Sequence, residues 1–537
     1  MFTEALNAIS ASLLPARRIA PIAPPEARPC QWNARLRERE LSAIELAEPA
    51  PGDGAAMEQL RRAHVRRLTA LLTGAQDPDC ARQAAASVHA LLNMASWTDV
   101  SSGDPFRFDP CEVDSAFAET CCALAAAYNA LRQPLSEISP DLPRRIELEL
   151  RRRLTLPLAE EEAPPLPTLE VACQLLCAVL LGEPGESARW TVIRRLCRGI
   201  DLTLNRLPQD GSLPGGVERA TDTAVLLMDL AEVLQLATEG RVNLTQHEQV
   251  ACLADYPLFS HIQAGWFMNP GEHEMTAKLD AESLFRFGRL VGDGPLCDLS
   301  AWLLRMGLSK PAARALPRLL NRNFSALLDE TFGRVRPFRE GFLPDAGLMF
   351  MRGFQMCAMM TGGTGTSHAD AGNVCLFWKE QPVLVDIGGE ARETALHSLP
   401  VIGGCGQRAP VPAAHTEAGP GAEDYTCYTV NLTAAYPGEA HLSDYQRTLL
   451  MGAADAPGIR LMDMMDLIQP EPVDFHFICA VEPEPAPDGM RIGPVTLQWD
   501  APLTASVEPI DGHPLFRLTL HAEPAPRHRV VFELVPN

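Results

Sequence analysis

SHADAGNVCLFWKEQPVLVDIGGEARETALH, residues 367–397, is the stretch on which the reading of this chain turns. Its apolar runs VCLFW and PVLVDIG, separated by a short polar connection, read as consecutive β-strands. The same stretch holds three candidate metal ligands, His368, Asp386 and His397. Two imidazoles and a carboxylate form a common zinc set, and three protein ligands leave a fourth position for water. Their spacing is too wide for a single helix face, so the ligands belong to separate strands. The alternative is that both histidines simply hydrogen-bond Asp386 with no metal present.

Outward from this stretch, the two-residue period continues to the C-terminus. YTCYTVNLT, RTLLMG, GIRLMDMM, DFHFICAV, VTLQWDA, FRLTLHA and RVVFELV are strand-like runs punctuated by Gly, Pro, Asp and Asn. So many short strands in about 200 residues predict an antiparallel β-sandwich. Before residue 330 the period is helical. AMEQLRRAHVRRLTALLTG, EVDSAFAETCCALAAAYNALRQPL, TLEVACQLLCAVLLG and ATDTAVLLMDLAEVLQLATEG space apolar residues by three and four. Repeated helical hairpins over about 300 residues mean a solenoid or a closed α/α toroid, and patterning alone does not choose between them. The expected class is α+β multidomain: a helical domain over 1–330, then a β-sandwich over 331–537.

With 537 residues, the chain is too long for one core. Charged residues at 21% and hydrophobic residues at 46% describe an ordinary globular composition. A net charge of −22 argues against nucleic-acid binding, which requires basic surface. No apolar run reaches membrane-spanning length. Residues 1–21 lack the pattern of a secretory signal, so the expectation is a cytoplasmic protein. The 15 scattered cysteines, with Cys173 and Cys177 one helical turn apart, suit buried free thiols better than a disulfide framework.

The segment Thr366-Ser367-His368-Ala369-Asp370-Ala371-Gly372, the hairpin end Pro382-Val383-Leu384-Val385-Asp386-Ile387-Gly388, and His397-Ser398-Leu399-Pro400-Val401-Ile402-Gly403 occur in an order that resembles the heparinase II/III-like polysaccharide lyases. NLTAAYPGEAHLSDYQRT (431–448) and GWFMNPGEHEMTAKLDAESLFRFGRLVGD (265–293) continue the resemblance, which runs over most of the chain. It implies an α/α toroid followed by a β-sandwich, with a zinc ion held by His368, Asp386 and His397 in an architectural role. It also implies β-elimination next to a uronic acid. A base removes the proton α to the carboxylate, a neighbour stabilises the enolate-like charge, and an acid protonates the departing oxygen.

The expected catalytic groups are replaced. Thr366 stands where the family has a histidine, and a threonine hydroxyl is a poor base without an activator. Arg219 stands at a tyrosine position, at the end of the run beginning Asp210-Gly211-Ser212. The proline-rich stretch 154–168 contains no asparagine where one is implied. Arg219 can instead bind a uronate carboxylate bidentately. Asn269 and Arg286, in the well-matched 265–293 segment, join it as candidate substrate-binding groups. Glu218 is a weaker candidate base, since a glutamate beside Arg219 and Asp222 more often forms a surface ion pair. Tyr128 and Tyr256 fall in helical patterns suited to core packing.

Three functions are consistent with this pattern. The first is a lyase acting on uronic-acid-containing oligosaccharides or polysaccharides with altered residues. The second is a non-catalytic descendant that binds glycan or a protein partner. In the third, a zinc-bound water acts as the nucleophile of a hydrolase, provided that Cys405 or His415 does not close the metal's fourth position. The expected partner is a uronic-acid-containing oligosaccharide, with no nucleic acid and no membrane, and a homodimer is compatible with the sequence.

Overall fold

The computed structural model describes residues 31–46, 53–74, 77–99, 113–160, 168–182, 187–212, 216–246, 248–268, 275–331, 341–353, 355–363, 368–379, 381–389, 391–409, 415–420, 426–452 and 458–537. Two compact units emerge. One comprises 1–207, 222–251 and 280–335; the other comprises 208–221, 252–279 and 336–537. Two segments that precede residue 330 therefore belong to the second unit.

Helices of the first unit begin where the sequence supplies an aspartate. Asp53, Asp114, Asp280 and Asp293 each accept a hydrogen bond from a backbone N–H of the first turn of Gly54–Leu72, Ser115–Ile138, Ala281–Val291 and Gly294–Arg305. That bond satisfies one of the donors orphaned at a helix start. Leu169–Gly182 is apolar on every side and buried continuously from Val171 to Gly182, the mark of a helix inside a bundle. It packs on Ser115–Ile138, whose alanines and cysteines allow a close approach. Cys121, Cys122, Cys173 and Cys177 are buried free thiols. Late in the unit, Ala315–Asn321 returns to pack on Gly54–Leu72 and Ser115–Ile138, which brings the end of the helical series back to its beginning.

The second unit is antiparallel. Two 21-residue strands, Ile459–Cys479 and Phe516–Pro536, pair along their length and form its spine. Their register is interrupted between Asp466 and Val473. On the N-terminal side of that break, Ile459–Cys479 pairs with Leu442–Met451, which continues to Thr426–Asn431 and His415–Pro420. Beyond the break it pairs with Pro400–Ile402 and with Gln381–Leu384, which leads to Val374–Trp378, Met356–Thr361, Leu348–Arg352 and Gly341–Leu343. Strands that change sheet at a bulge are a standard way to make a two-layered β-fold. Side chains from both sets share one core, including Met351, Leu376 and Trp378 from one and Tyr428, Tyr445 and Leu461 from the other.

The sequence reads each spine strand as two, because the Gln469-Pro470-Glu471-Pro472 run looks like a turn. In the structure those prolines lie where the ladder is already broken, so their missing N–H groups cost no pairing. Burial follows the two environments. Residues 459–467 alternate buried and more exposed, whereas 475–479 are buried without interruption.

Candidate functional site

The loops flanking the strands Val374–Trp378 and Gln381–Leu384 bring His368, Asp370, Asp386 and His397 into one buried cluster. His368 lies in the turn that enters the first strand, Asp386 lies just past the end of the second, and His397 caps a short 3-10 turn at Thr394–Leu396. The Nδ1 of His397 is 3.6 Å from Asp386 Oδ1. The ring centroids of His368 and His397 are 5.7 Å apart. The three residues marked by the sequence are thus brought together. Asp370 joins them, and its only sequence signal was a carboxylate two residues after His368.

Hydrogen bonds orient the cluster. His368 Nε2 faces the Gly389 carbonyl at 3.1 Å. A carbonyl can only accept, so that nitrogen carries the proton and Nδ1 keeps a lone pair. Asp386 accepts from the Gly388 backbone N–H at 2.9 Å and from Asn373 Nδ2 at 2.7 Å. The other end of the same amide, Asn373 Oδ1, accepts from the Ser398 N–H at 2.9 Å, next to His397. Neither ring nitrogen of His397 reaches a hydrogen-bond partner, and Asp370 Oδ2 also lacks one.

Burial dominates the electrostatics. It pushes the Asp386 carboxyl up to about 6, against the Gly388 backbone N–H, His368 and Asn373, which favour the charged form. It likewise raises Asp370, opposed by His397 and reinforced by Asp386. It lowers His397 to about 4, with Asp370 and the Ala391 backbone offsetting part of the effect. Neither carboxylate counts a lysine or arginine among the charges that act on it. Two buried carboxylates without a cation are costly unless protonated or bound to a metal.

Among the described residues, no group of three or more His, Cys, Asp and Glu is assembled to hold a metal ion as it stands. The cluster nevertheless has the right donor types. A tetrahedral zinc with bonds of about 2.0–2.1 Å sets its ligand atoms about 3.3 Å apart, close to the His397–Asp386 separation of 3.6 Å. The residues present therefore suit zinc in kind and approach it in spacing. Cys405, half-buried, turns its Sγ towards the Gly403 carbonyl, at 3.9 Å.

Of the remaining sequence candidates, Thr366 and Asn269 lie outside the described residues, as does the side chain of His415. Arg219 is exposed on the first turn of the helix Gly216–Ala237, with Glu218 half-buried beside it. The segment leading to it is clasped to the sandwich unit. Gln209 N donates to Asp345 Oδ2 at 2.6 Å, and Asp345 N donates to Asp210 Oδ2 at 2.8 Å. Arg286 has no exposed surface. It is held between Glu232, with Nη1 to Oε1 at 2.5 Å, and Asp229. The sequence offers Arg286 as a substrate-binding cation; as placed, its charge is spent on an internal ion pair. Tyr128, Tyr256, Tyr428, Tyr436 and Tyr445 are all buried. Burial holds Tyr256 far above the ordinary tyrosine range. The sixth tyrosine, Tyr425, lies outside the described residues.

No protein-family model matches the sequence, and no curated protein is measurably similar to it. Solved structures are similar along the whole chain. A heparinase III gene product superposes with a TM-score of 0.62 at 12% identity, covering 100% of this chain and 88% of its own. The heparan sulfate lyase of Pedobacter heparinus gives 0.55 at 14%, covering 100% and 87%. A further heparinase III structure gives 0.57 at 10%, covering 100% and 89%. The chain has the heparinase III fold: an α/α toroid followed by an antiparallel β-sandwich. At these identities the likeness establishes the fold alone.

Proposed function

We propose that this chain uses a polysaccharide-lyase fold to engage uronic-acid-containing oligosaccharides or polysaccharides. The observation that carries the reading is the likeness to heparinase III and heparan sulfate lyase structures over the full chain. Arg219, exposed at a helix start, is the group we assign to a uronate carboxylate, for which a guanidinium fork is geometrically suited. Asn269 is assigned to the same ligand from its place in the matched segment. A zinc ion held by His368, Asp386 and His397 would supply the positive charge that the buried carboxylates lack.

β-Elimination needs a proton acceptor near the substrate, and here a specific observation favours binding without turnover. Every described tyrosine is buried, and threonine occupies position 366. The proposal therefore has two forms, a lyase with replaced groups and a non-catalytic glycan binder, and one experiment separates them. Purified protein is incubated with a panel of uronic-acid oligosaccharides while binding is followed by calorimetry and the unsaturated product by ultraviolet absorbance. New absorbance establishes the lyase. Binding without absorbance that weakens in Arg219→Ala establishes the binder. Neither binding nor absorbance across the panel overturns both. Metal analysis tests the zinc assignment: about one zinc per chain, lost in His397→Ala, is expected, and a metal-free wild type refutes it.

A further inference from the structure

Fifty residues beyond His397 in sequence, the strand Leu442–Met451 sends one arginine back to the cluster. Arg447 has no exposed surface and lies directly opposite Asp463 in the neighbouring strand. Its Nε and Nη2 grip the two oxygens of Asp463 at 2.7 and 2.8 Å. Its Nη1 donates to two carbonyls from different loops, Gly372 at 3.0 Å and Ser398 at 2.7 Å. Gly372 adjoins Asn373, whose amide holds Asp386, and Ser398 adjoins His397.

We infer that Arg447 is a positioning residue: through the Gly372 and Ser398 carbonyls it sets the placement of His397 and Asp386. The inference rests on the reading of this cluster as the functional site and adds the group that organises it. Asp463 and Tyr445, whose hydroxyl donates to Asp463 Oδ1 at 2.7 Å, hold the guanidinium in one orientation. The remaining Nη1 hydrogens then span the two loops as a rigid fork, a geometry lysine cannot reproduce. The chain also makes room for it. Gly372 has φ +84, and a Cβ there would stand 2.7 Å from Leu432 Cδ1 and 3.3 Å from Arg447 Cδ. Asn373 completes the linkage by joining the Ser398 N–H to the Asp386 carboxylate.

The test is hydrogen exchange by mass spectrometry on the full chain. It compares wild type, Arg447→Lys, and a double variant, Arg447→Met with Asp463→Leu, which replaces the ion pair with an apolar pair. Peptides containing 368–373 and 397–400 are expected to exchange at least about tenfold faster in both variants, while the spine peptide 516–536 stays within about twofold of wild type. Unchanged protection of the two loops overturns the inference. So does uniform loss across the whole sandwich, which would make the arginine merely structural, and so does full protection in Arg447→Lys. Zinc affinity by chelator competition is read alongside and is expected to weaken at least about tenfold with the loops. A wild type that binds no zinc removes the metal reading while the exchange result still decides the role of Arg447.

Discussion

Replacing Arg286 by methionine should unfold the helical unit well below the wild-type temperature, with a deficit that depends on pH. Arg286 is fully buried between Asp229 and Glu232, themselves 2% and 9% exposed. Removing one partner of a buried ion pair costs about 3–5 kcal/mol, because the others remain desolvated and uncompensated. At about 2–4 °C per kcal/mol for a unit of this size, the midpoint falls by roughly 10 °C near neutral pH. Burial already holds both carboxyl groups above their ordinary values even with Arg286 present, and its loss raises them further. A group whose folded-state pKa is raised binds its proton more tightly in the folded protein. Its contribution is therefore complete below the unfolded value and is lost as pH rises through the folded one. The variant's deficit should accordingly be smaller at pH 5 than at pH 8. Far-ultraviolet circular dichroism of the helical transition across that range measures it. A midpoint within about 2 °C of wild type at pH 8 refutes the argument, as does a deficit that does not shrink at pH 5. Adding Asp229→Asn and Glu232→Gln to the variant should restore most of the loss.

Three further outcomes follow from individual contacts. In the sandwich unit, burial lowers His261 and His476 to about 4. The unfolded chain takes up protons first, so stability falls as pH drops from about 6.5 towards 4, by at most about 3 kcal/mol per histidine. Thermal unfolding of His476→Gln should show a shallower acid slope, and an unchanged slope refutes the assignment. Gly211 has φ +79, and a Cβ there would lie 2.3 Å from the Cys252 carbonyl oxygen. Gly211→Ala should destabilise by about 1–3 kcal/mol in urea titrations, and a wild-type midpoint contradicts the clash. Gln174 keeps a buried, partnerless Oε1 beside a cavity of about 10 Å³, while its amide donates to Glu170 at 3.2 Å. Gln174→Met should be at least as stable as wild type, because the unsatisfied oxygen costs about 1–3 kcal/mol. A loss greater than about 2 kcal/mol in the same titration would show that the Glu170 bond matters more.

The change from helical to two-residue periodicity near residue 330 was legible because burial on one face writes itself into local spacing. The same holds for the donors His368, Asp386 and His397, whose residue types announce their chemistry wherever they fall. Two features were not legible. Gln469-Pro470-Glu471-Pro472 looks like a turn, because local sequence records the missing N–H groups but not whether a neighbouring strand needs them. Arg286 reads as a cation available to a ligand, because nothing within its own helix reveals Asp229 and Glu232, more than fifty residues earlier.

The sequence by itself determined the order of helical and β units and the chemical kinds present at the site. Only the tertiary structure decided which charges are committed internally. It spent Arg286 and Arg447 on buried carboxylates, left Arg219 in solvent, and drew Asp370 in beside the two histidines. The physical reason is the range of each effect. Periodic burial acts over a few residues of chain, whereas the pairing of a buried charge depends on whichever group the fold brings within about 3 Å of it.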